Sequence, residues 1–465
     1  AESVAWQGRL LVPFVDVRYF PIEPFGFGYP PDQHPPLWPL LGAAFTLLTG
    51  DGYIALKVAS LLIGVGVVPL TYLALKRHIG RPAALYASVL AAGSFPLVDF
   101  SGNGSLWALL AALYLGWLWL LPGSPLSEVK RGPGGVRSPR ASWWRWAGLG
   151  IVMGLGYLTN YPAVVLPAAL LLLHLVQHRR AALQPRLLAG PALSALVLAL
   201  VILPWLLYSA SLFGGPFWSQ PFQRTLAGGS RDVEYVLQDG QAVKRNLPLP
   251  ADRTAVLRAR ALDLYGNVGF LAKQSLVITP VLGGLFLLGL LLTLPRLRGQ
   301  GGTPEPSANA ASAPPTAVAV LAVVHLALIV WWPTTKFRYL IPLLPLVFGL
   351  GAWALDQLGP ERVRHALAAV TLGLCLFTNV WTMLSIPSRT YYYNGGLIGD
   401  NFGQQGERIF MEDARRFRAA ADAIIARGPG TVLADHILAP FTRMPLVVNS
   451  TGYPPGVIQH LVDRY

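Results

Sequence analysis

Long apolar runs recur along this chain, and they limit its fold more than any other feature. Each is about as long as a helix needs to cross a bilayer. Charged residues make up only 12% of the chain, against about 25% in a typical soluble protein. The sequence therefore predicts an all-α polytopic membrane protein with about ten visible spans. The runs cover residues 53–75, 82–98, 104–121, 143–158, 162–176, 190–213, 271–294, 316–332, 339–355 and 365–384.

The basic residues are confined mostly to alternate short loops, although the net charge of +14 could suggest a nucleic-acid partner. Alternate loops rich in Lys and Arg mark the cytoplasmic side of a membrane protein. We therefore expect a multi-pass protein of the cell membrane that binds no nucleic acid. The basic loops contain Lys76, Arg77 and Arg81; Lys130, Arg131, Arg137, Arg140 and Arg145; Arg179, Arg180 and Arg186; Arg296 and Arg298; and Arg362 and Arg364.

This orientation places three sizeable pieces outside the cell. Residues 1–52 form a first extracytoplasmic loop, in which the short apolar run 37–48 predicts an interfacial helix. Residues 53–384 form the transmembrane helical domain, including a large outer loop at 214–270. Residues 385–465 form an α/β appendage, because an amphipathic helical pattern, MEDARRFRAAADAIIAR, precedes the strand-like TVLAD and PLVV.

The chain begins at Ala1 without a methionine, and its opening resembles the middle of a loop. We therefore expect a missing first span upstream. The single cysteine, Cys375, lies in an apolar run and excludes a disulfide framework. The sequence has no P-loop, HExxH or GxSxG motif. No metal motif is visible either, although a carboxylate-bound divalent cation remains compatible with the sequence.

Two cations in a short outer loop break the charge trend. Lys336 and Arg338 lie two residues apart and are followed by Tyr339. One interpretation is interfacial snorkelling beside Trp331 and Trp332. The other is a cationic clamp for a phosphate, since the planar fork of arginine binds phosphate oxygens in pairs while lysine acts as a point charge.

Three aspartates are candidates for acid–base chemistry at the predicted outer surface. Asp99 lies in the short loop FPLVDFSGNGSLW, where it could be functional or could cap the next helix. Asp16 and Asp32 belong to the first loop, where a carboxylate could deprotonate an acceptor hydroxyl. For each of these two, an ordinary structural role is the alternative.

A proline-rich stretch, YPPDQHPPLWPLL at residues 29–41, predicts a stiff segment followed by a helix that starts near Leu37. Tyr29 and His34 in this stretch are candidates for the rim of a substrate cleft. Asn160 and Tyr161, at the outer turn TNYP, are candidates for the same cleft, with ordinary turn chemistry as the alternative.

Three stretches together resemble the GT-C fold of membrane glycosyltransferases, in the branch of protein O-mannosyltransferases and the aminoarabinose transferase of lipid A. The first is AESVAWQGRLLVPFVD followed by HPPLWPLL. The second is GLGYLTNYPAVVLPAALLLLH. The third is KFRYLIPLLPLVFGLGAW. The likeness covers most of the chain, and the specificity comes from the order of the three stretches rather than from any one of them.

The resemblance implies an inverting transfer of a sugar from a polyprenyl-phosphate donor to a protein, lipid or glycan acceptor on the extracytoplasmic side. It implies that the main catalytic aspartate lies upstream of Ala1 and that Asp16 matches a secondary aspartate. Asn160 replaces a common lysine, while Arg338 and Tyr339 fall on a matching Arg-Tyr pair. The alternatives are a non-catalytic GT-C-like subunit of a membrane complex and a lipid or glycan transporter.

Overall fold

The computed structural model describes twelve α-helices within the residues it defines. The helices are α1 (Leu37–Thr49), α2 (Gly52–Ile79), α3 (Arg81–Ala92), α4 (Phe95–Gly102), α5 (Trp107–Leu120), α6 (Arg140–Thr159), α7 (Val165–His178), α8 (Pro185–Phe213), α9 (Pro280–Arg298), α10 (Thr316–Trp331), α11 (Leu344–Asp356) and α12 (Glu361–Ser385). The described residues are 5, 14–15, 35–102, 104–121, 140–213, 233–238, 241–246, 258, 261–262, 264–269, 280–298, 315–331, 337–358, 360–385, 419, 422–424, 426, 432–434 and 446–448.

Local chemistry accounts for several helix ends. Helix α1 begins at Leu37, which confirms the predicted start, and it ends at Thr49, where the capping residue Gly50 has a φ of 74° that glycine adopts at little cost. Asn160 has extended backbone angles and separates α6 from a 3₁₀ segment at Tyr161–Val164. Pro162 lies in the first turn of that segment, where its missing N–H costs nothing. The predicted break at the TNYP turn is therefore present.

The protein is a multi-pass membrane protein. Four helical stretches are long and apolar enough to cross a membrane, namely Ile54–Ile79, Tyr161–His178, Leu187–Ser211 and Arg338–Asp356. Helices α3 and α4 form a pair bent by 54°, which could make a fifth span. Each of the ten apolar runs overlaps a helix, but several of these helices are short, so the number ten remains a prediction. The run 82–98, expected to be one span, is the bent pair.

The span that includes α11 lies at the centre of its bundle. Of the 18 most apolar consecutive residues of this span, 89% are buried inside the protein, compared with 6% for the corresponding stretch of Leu187–Ser211. Helix α11 packs against α3 and α9. Its approach to α9 is close, because a side chain at Gly289 would meet the Leu350 carbonyl. Helix α11 therefore forms the rigid core, while α8 leaves most of its apolar surface for lipid.

Strands occur where the sequence predicted them and also where it did not. Strands β4 (Val432–Ala434) and β5 (Leu446–Val448) are parallel and correspond to the two strand-like patterns of the tail. Strand β1 (Phe14–Val15) pairs with β5 from the far end of the chain. Strands β2 and β3 form an antiparallel hairpin within the large predicted outer loop, which the sequence reading left without structure. Their bounds are Val233–Gln238 and Gln241–Asn246.

The chain divides into two compact units. The first consists of Ala1–Leu56, Phe217–Leu262 and Gln404–Tyr465, and the second of Lys57–Pro216 and Asp263–Gly403. The three ranges of the first unit overlap the three pieces expected outside the cell, but the side of the membrane and the predicted domain limits stay predictions. The second unit contains the helical core and all of the described candidate residues.

Candidate functional site

Tyr339 lies where several elements of the second unit converge. It belongs to a 3₁₀ segment, Phe337–Leu343, which packs against α4, α5 and α10. Its ring meets the ring of Trp107 edge to face, with centroids 5.4 Å apart. The guanidinium carbon of Arg338 lies 5.8 Å from the centroid of the same ring, within the range of a cation–π contact. The Arg-Tyr pair is therefore held against the start of α5.

A buried hydrogen-bonded pair lies directly behind Tyr339. His325 is 2% exposed and Tyr114 is fully buried. Nε2 of His325 lies 2.7 Å from the Tyr339 carbonyl oxygen, and Nδ1 lies 2.9 Å from the Tyr114 hydroxyl. Because a carbonyl only accepts, Nε2 carries a proton and donates it to this bond. Nδ1 of the neutral ring then accepts from the Tyr114 hydroxyl.

An apolar cavity connects this region to the TNYP turn. It is lined by Trp107, Leu110, Pro162, His325, Leu328, Ile329 and Tyr339. Pro162 follows directly after Asn160 and Tyr161, which are both buried. The backbone N–H of Asn160 donates to the Gly156 carbonyl, and the Tyr161 ring packs on Tyr157. Two of the three stretches that carry the family resemblance therefore meet at one cavity.

Asp99 belongs to α4, a helix that borders the same region. Its side chain is half-buried, and α4 packs against the 3₁₀ segment that carries Arg338. Helix α2 fixes α4 in place, because the Ser60 hydroxyl donates to the Phe100 carbonyl over 3.0 Å. At Gly64, a side chain would overlap Ser101 of α4. The helix that carries Asp99 is thus held by a close contact that only glycine permits.

The structure brings some predicted site residues together and leaves others untested. Asp99, Asn160, Tyr161, Arg338 and Tyr339 lie on elements of the second unit around the cavity and the Tyr339 segment. The remaining candidates lie outside the described residues, so their roles stay predictions; these are Asp16, Tyr29, Asp32, His34 and Lys336. Within the described part of the chain, no cluster of three or more His, Cys, Asp or Glu side chains could hold a metal.

Sequence reasoning missed His325 and Tyr114. His325 is the lone ionisable residue in the 16-residue apolar helix α10, and an ionisable group in such a helix indicates a functional position by default. That signal was available from the sequence. Tyr114 gave no comparable signal, because a tyrosine among tryptophans and leucines is also typical of ordinary helix packing.

Comparison with known proteins supports the resemblance deduced from the three stretches. Residues 33–208 match the model of a family described as dolichyl-phosphate-mannose-protein mannosyltransferase. A curated relative is the undecaprenyl phosphate-alpha-4-amino-4-deoxy-L-arabinose arabinosyl transferase 1 of Pseudomonas fluorescens (strain Pf0-1). It is 28% identical over 237 residues, which cover 49% of this chain and 37% of the relative. The match therefore spans little more than a third of that relative.

Two solved structures share the fold over nearly the whole chain. ArnT from Cupriavidus metallidurans bound to undecaprenyl phosphate has a TM-score of 0.52 at 14% identity, over 93% of this chain and 78% of that one. The oligosaccharyltransferase AglB from Archaeoglobus fulgidus, in complex with an inhibitory peptide and a dolichol-phosphate, has a TM-score of 0.51 at 14% identity. That match covers 95% of this chain and 58% of the other. The GT-C fold expected from the sequence is confirmed.

Proposed function

We propose that this protein is an integral-membrane glycosyltransferase that moves a sugar from a polyprenyl-phosphate donor to an acceptor on the extracytoplasmic face. The convergence of the Arg338-Tyr339 segment, the TNYP turn and the helix of Asp99 around one region is the observation that carries the proposal. The family match and the names of the relatives give independent support, since both concern polyprenyl-phosphate-linked sugars or carriers.

The chemistry requires a cation at the leaving group. When the bond between the anomeric carbon and the phosphate breaks, negative charge builds up on the phosphate, and a fixed cation lowers the energy of that transition state. Arg338 is the candidate for this role among the described residues, and Lys336 is a second candidate outside them. Tyr339 supports Arg338 through its ring face.

The acceptor hydroxyl requires a base on the opposite side of the sugar. The oxygen of the acceptor attacks the anomeric carbon, its proton passes to a carboxylate, and polyprenyl phosphate leaves with inversion. Asp99, Asp16 and Asp32 are the candidates in this chain. Asp99 is the only one of them within the described residues, where the half-buried carboxylate lies on a helix that packs against the segment of Arg338.

The test is the release of free polyprenyl phosphate by the purified full-length protein from undecaprenyl-phosphate-linked sugars. Arg338→Ala should lower turnover by about 10²–10³-fold, the usual cost of removing one group that stabilises transition-state charge. Arg364→Ala is the matched control, because Arg364 pairs with Asp356 at 3.1 Å on another part of the bundle. We expect this variant to keep nearly full activity.

Three results would contradict the proposal. Full turnover by Arg338→Ala would refute the role of Arg338 in binding the phosphate. Movement of the lipid across vesicles without release of polyprenyl phosphate would indicate a transporter. A folded protein that neither binds nor cleaves such donors would instead fit a non-catalytic subunit.

A further inference from the structure

A backbone carbonyl in the Arg338-Tyr339 segment lacks its regular helical partner. The segment Phe337–Leu343 is a 3₁₀ helix, in which each carbonyl accepts from the N–H three residues further on. For the Tyr339 carbonyl that residue is Pro342, which has no N–H. This partly buried carbonyl therefore needs a donor from elsewhere. His325 Nε2 provides it over 2.7 Å.

Helix α5 contacts both Tyr339 and His325, the two residues that this hydrogen bond joins. Trp107 and Tyr114, two turns apart on α5, contact the Tyr339 ring and the His325 imidazole respectively. The rings of Tyr114 and His325 also meet edge to face, with centroids 5.4 Å apart. Because Tyr114 is fully buried, its hydroxyl cannot turn to water instead. The imidazole is therefore fixed in one orientation.

We propose that His325 is a positioning residue for the donor phosphate, acting through the Tyr339 carbonyl on the backbone that carries Arg338. Tyr114 in turn fixes the imidazole. This inference rests on the proposed function, because it concerns the phosphate clamp of that site. Arg338 directly precedes Tyr339, whose carbonyl accepts the bond from His325. A change in the backbone at Tyr339 would therefore move the Arg338 guanidinium away from the donor phosphate that it is proposed to bind.

The experiment measures the dissociation constant of undecaprenyl phosphate and the thermal unfolding of the full-length protein in parallel. His325→Leu should weaken binding about tenfold or more, since it removes the donor to the partly buried Tyr339 carbonyl. Tyr114→Phe keeps the ring and removes only the hydroxyl, so we expect about a three- to tenfold loss. His325→Gln should stay within about threefold of wild type, because its amide can donate to the carbonyl and accept from the hydroxyl.

His174 provides a matched control. It is also buried in an apolar helix, 6% exposed, and its Nε2 bonds the Ala182 carbonyl over 2.8 Å. His174→Leu removes the same kind of hydrogen bond away from the cavity, so it should lower the unfolding temperature without changing lipid binding. A merely structural role of His325 would give the same result for both leucine variants.

The outcomes separate this inference from the function on which it rests. If the wild type binds undecaprenyl phosphate and His325→Leu binds it equally well, the positioning role alone is overturned. If His325→Leu does not fold, unchanged binding by Tyr114→Phe has the same consequence. If the folded wild type binds no polyprenyl phosphate, the proposed function falls and the positioning role falls with it. Weakened binding in both variants, with recovery in His325→Gln, supports the inference.

Discussion

Gly64 should be intolerant of even one added methyl group, and the reason is its contact with the helix of Asp99. A Cβ built at Gly64 overlaps both Oγ and Cβ of Ser101. Forcing an extra methyl group into such a contact costs about 1–3 kcal/mol. Gly66 lies two residues further along α2, and a Cβ there meets nothing within 4 Å. Gly66→Ala therefore serves as the matched control.

The comparison isolates the overlap, because both substitutions share the same gain in helix propensity of up to about 1 kcal/mol. The expected difference between Gly64→Ala and Gly66→Ala is thus the overlap cost of about 1–3 kcal/mol. Since about 1 kcal/mol shifts Tm by about 2–4 °C in a domain of 150–250 residues, we expect a gap of roughly 2–12 °C in thermal unfolding in detergent. Turnover should fall with Gly64→Ala, because Asp99 lies on the displaced helix.

A second substitution tests the cause. A Gly64→Ala, Ser101→Gly double variant removes the two atoms that overlap the added Cβ, and the next atom in distance is the Cα of residue 101, at 3.3 Å. Small shifts can absorb a contact of that length, so the double variant should recover part of the loss in Tm and turnover. Equal unfolding temperatures for Gly64→Ala and Gly66→Ala would refute the close contact between α2 and α4. A double variant worse than the sum of its parts would refute it as well.

Two further predictions concern the bundle around α11. Gly289→Ala should destabilise the protein by about 1–3 kcal/mol in chemical or thermal unfolding. Its Cβ would lie 2.6 Å from the backbone carbonyl oxygen of Leu350, which cannot rotate away. An unchanged Tm would contradict that packing. Cys375 is 2% exposed, so a maleimide should label it slowly in the native protein and rapidly in the unfolded protein. Rapid labelling of the native protein would contradict the burial of this face of α12.

Local signals in the sequence were sufficient for many helix limits. The proline pattern predicted the start of α1 at Leu37, and the structure agrees. The TNYP turn predicted the break at Asn160, where the backbone is extended. Strands β4 and β5 followed from short β-branched runs. In each case the information lies within a few residues of the feature, where backbone restrictions and residue preferences act directly.

Other features depend on contacts that local patterns cannot encode. Strand β1 pairs Phe14 with Leu446, far apart in sequence. The bend between α3 and α4 falls at Gly93 and Ser94, inside a run whose average hydropathy remains high, so hydropathy alone gave no sign of it, although the Gly-Ser pair is a local break signal. The hairpin of β2 and β3 is a different kind of miss, because the Asp-Gly pair between the strands is a strong hairpin signal that was available.

The candidate site shows the same division. The pattern of charges and short motifs made Arg338, Tyr339 and Asp99 candidates; their elements are in contact, and their roles stay predictions. Tyr114 became visible only through its bond to His325, which joins two helices. A hydrogen bond between residues of distant helices leaves no periodic trace in either helix, so the pattern of the sequence does not predict it.

The most direct test of the central claim is a single-particle map of the full-length protein with bound undecaprenyl phosphate. The account predicts density for the phosphate within hydrogen-bond distance of the Arg338 guanidinium, about 3 Å, beside the Tyr339 ring on which that guanidinium lies. A phosphate bound elsewhere, with this region filled by other side chains, would contradict it.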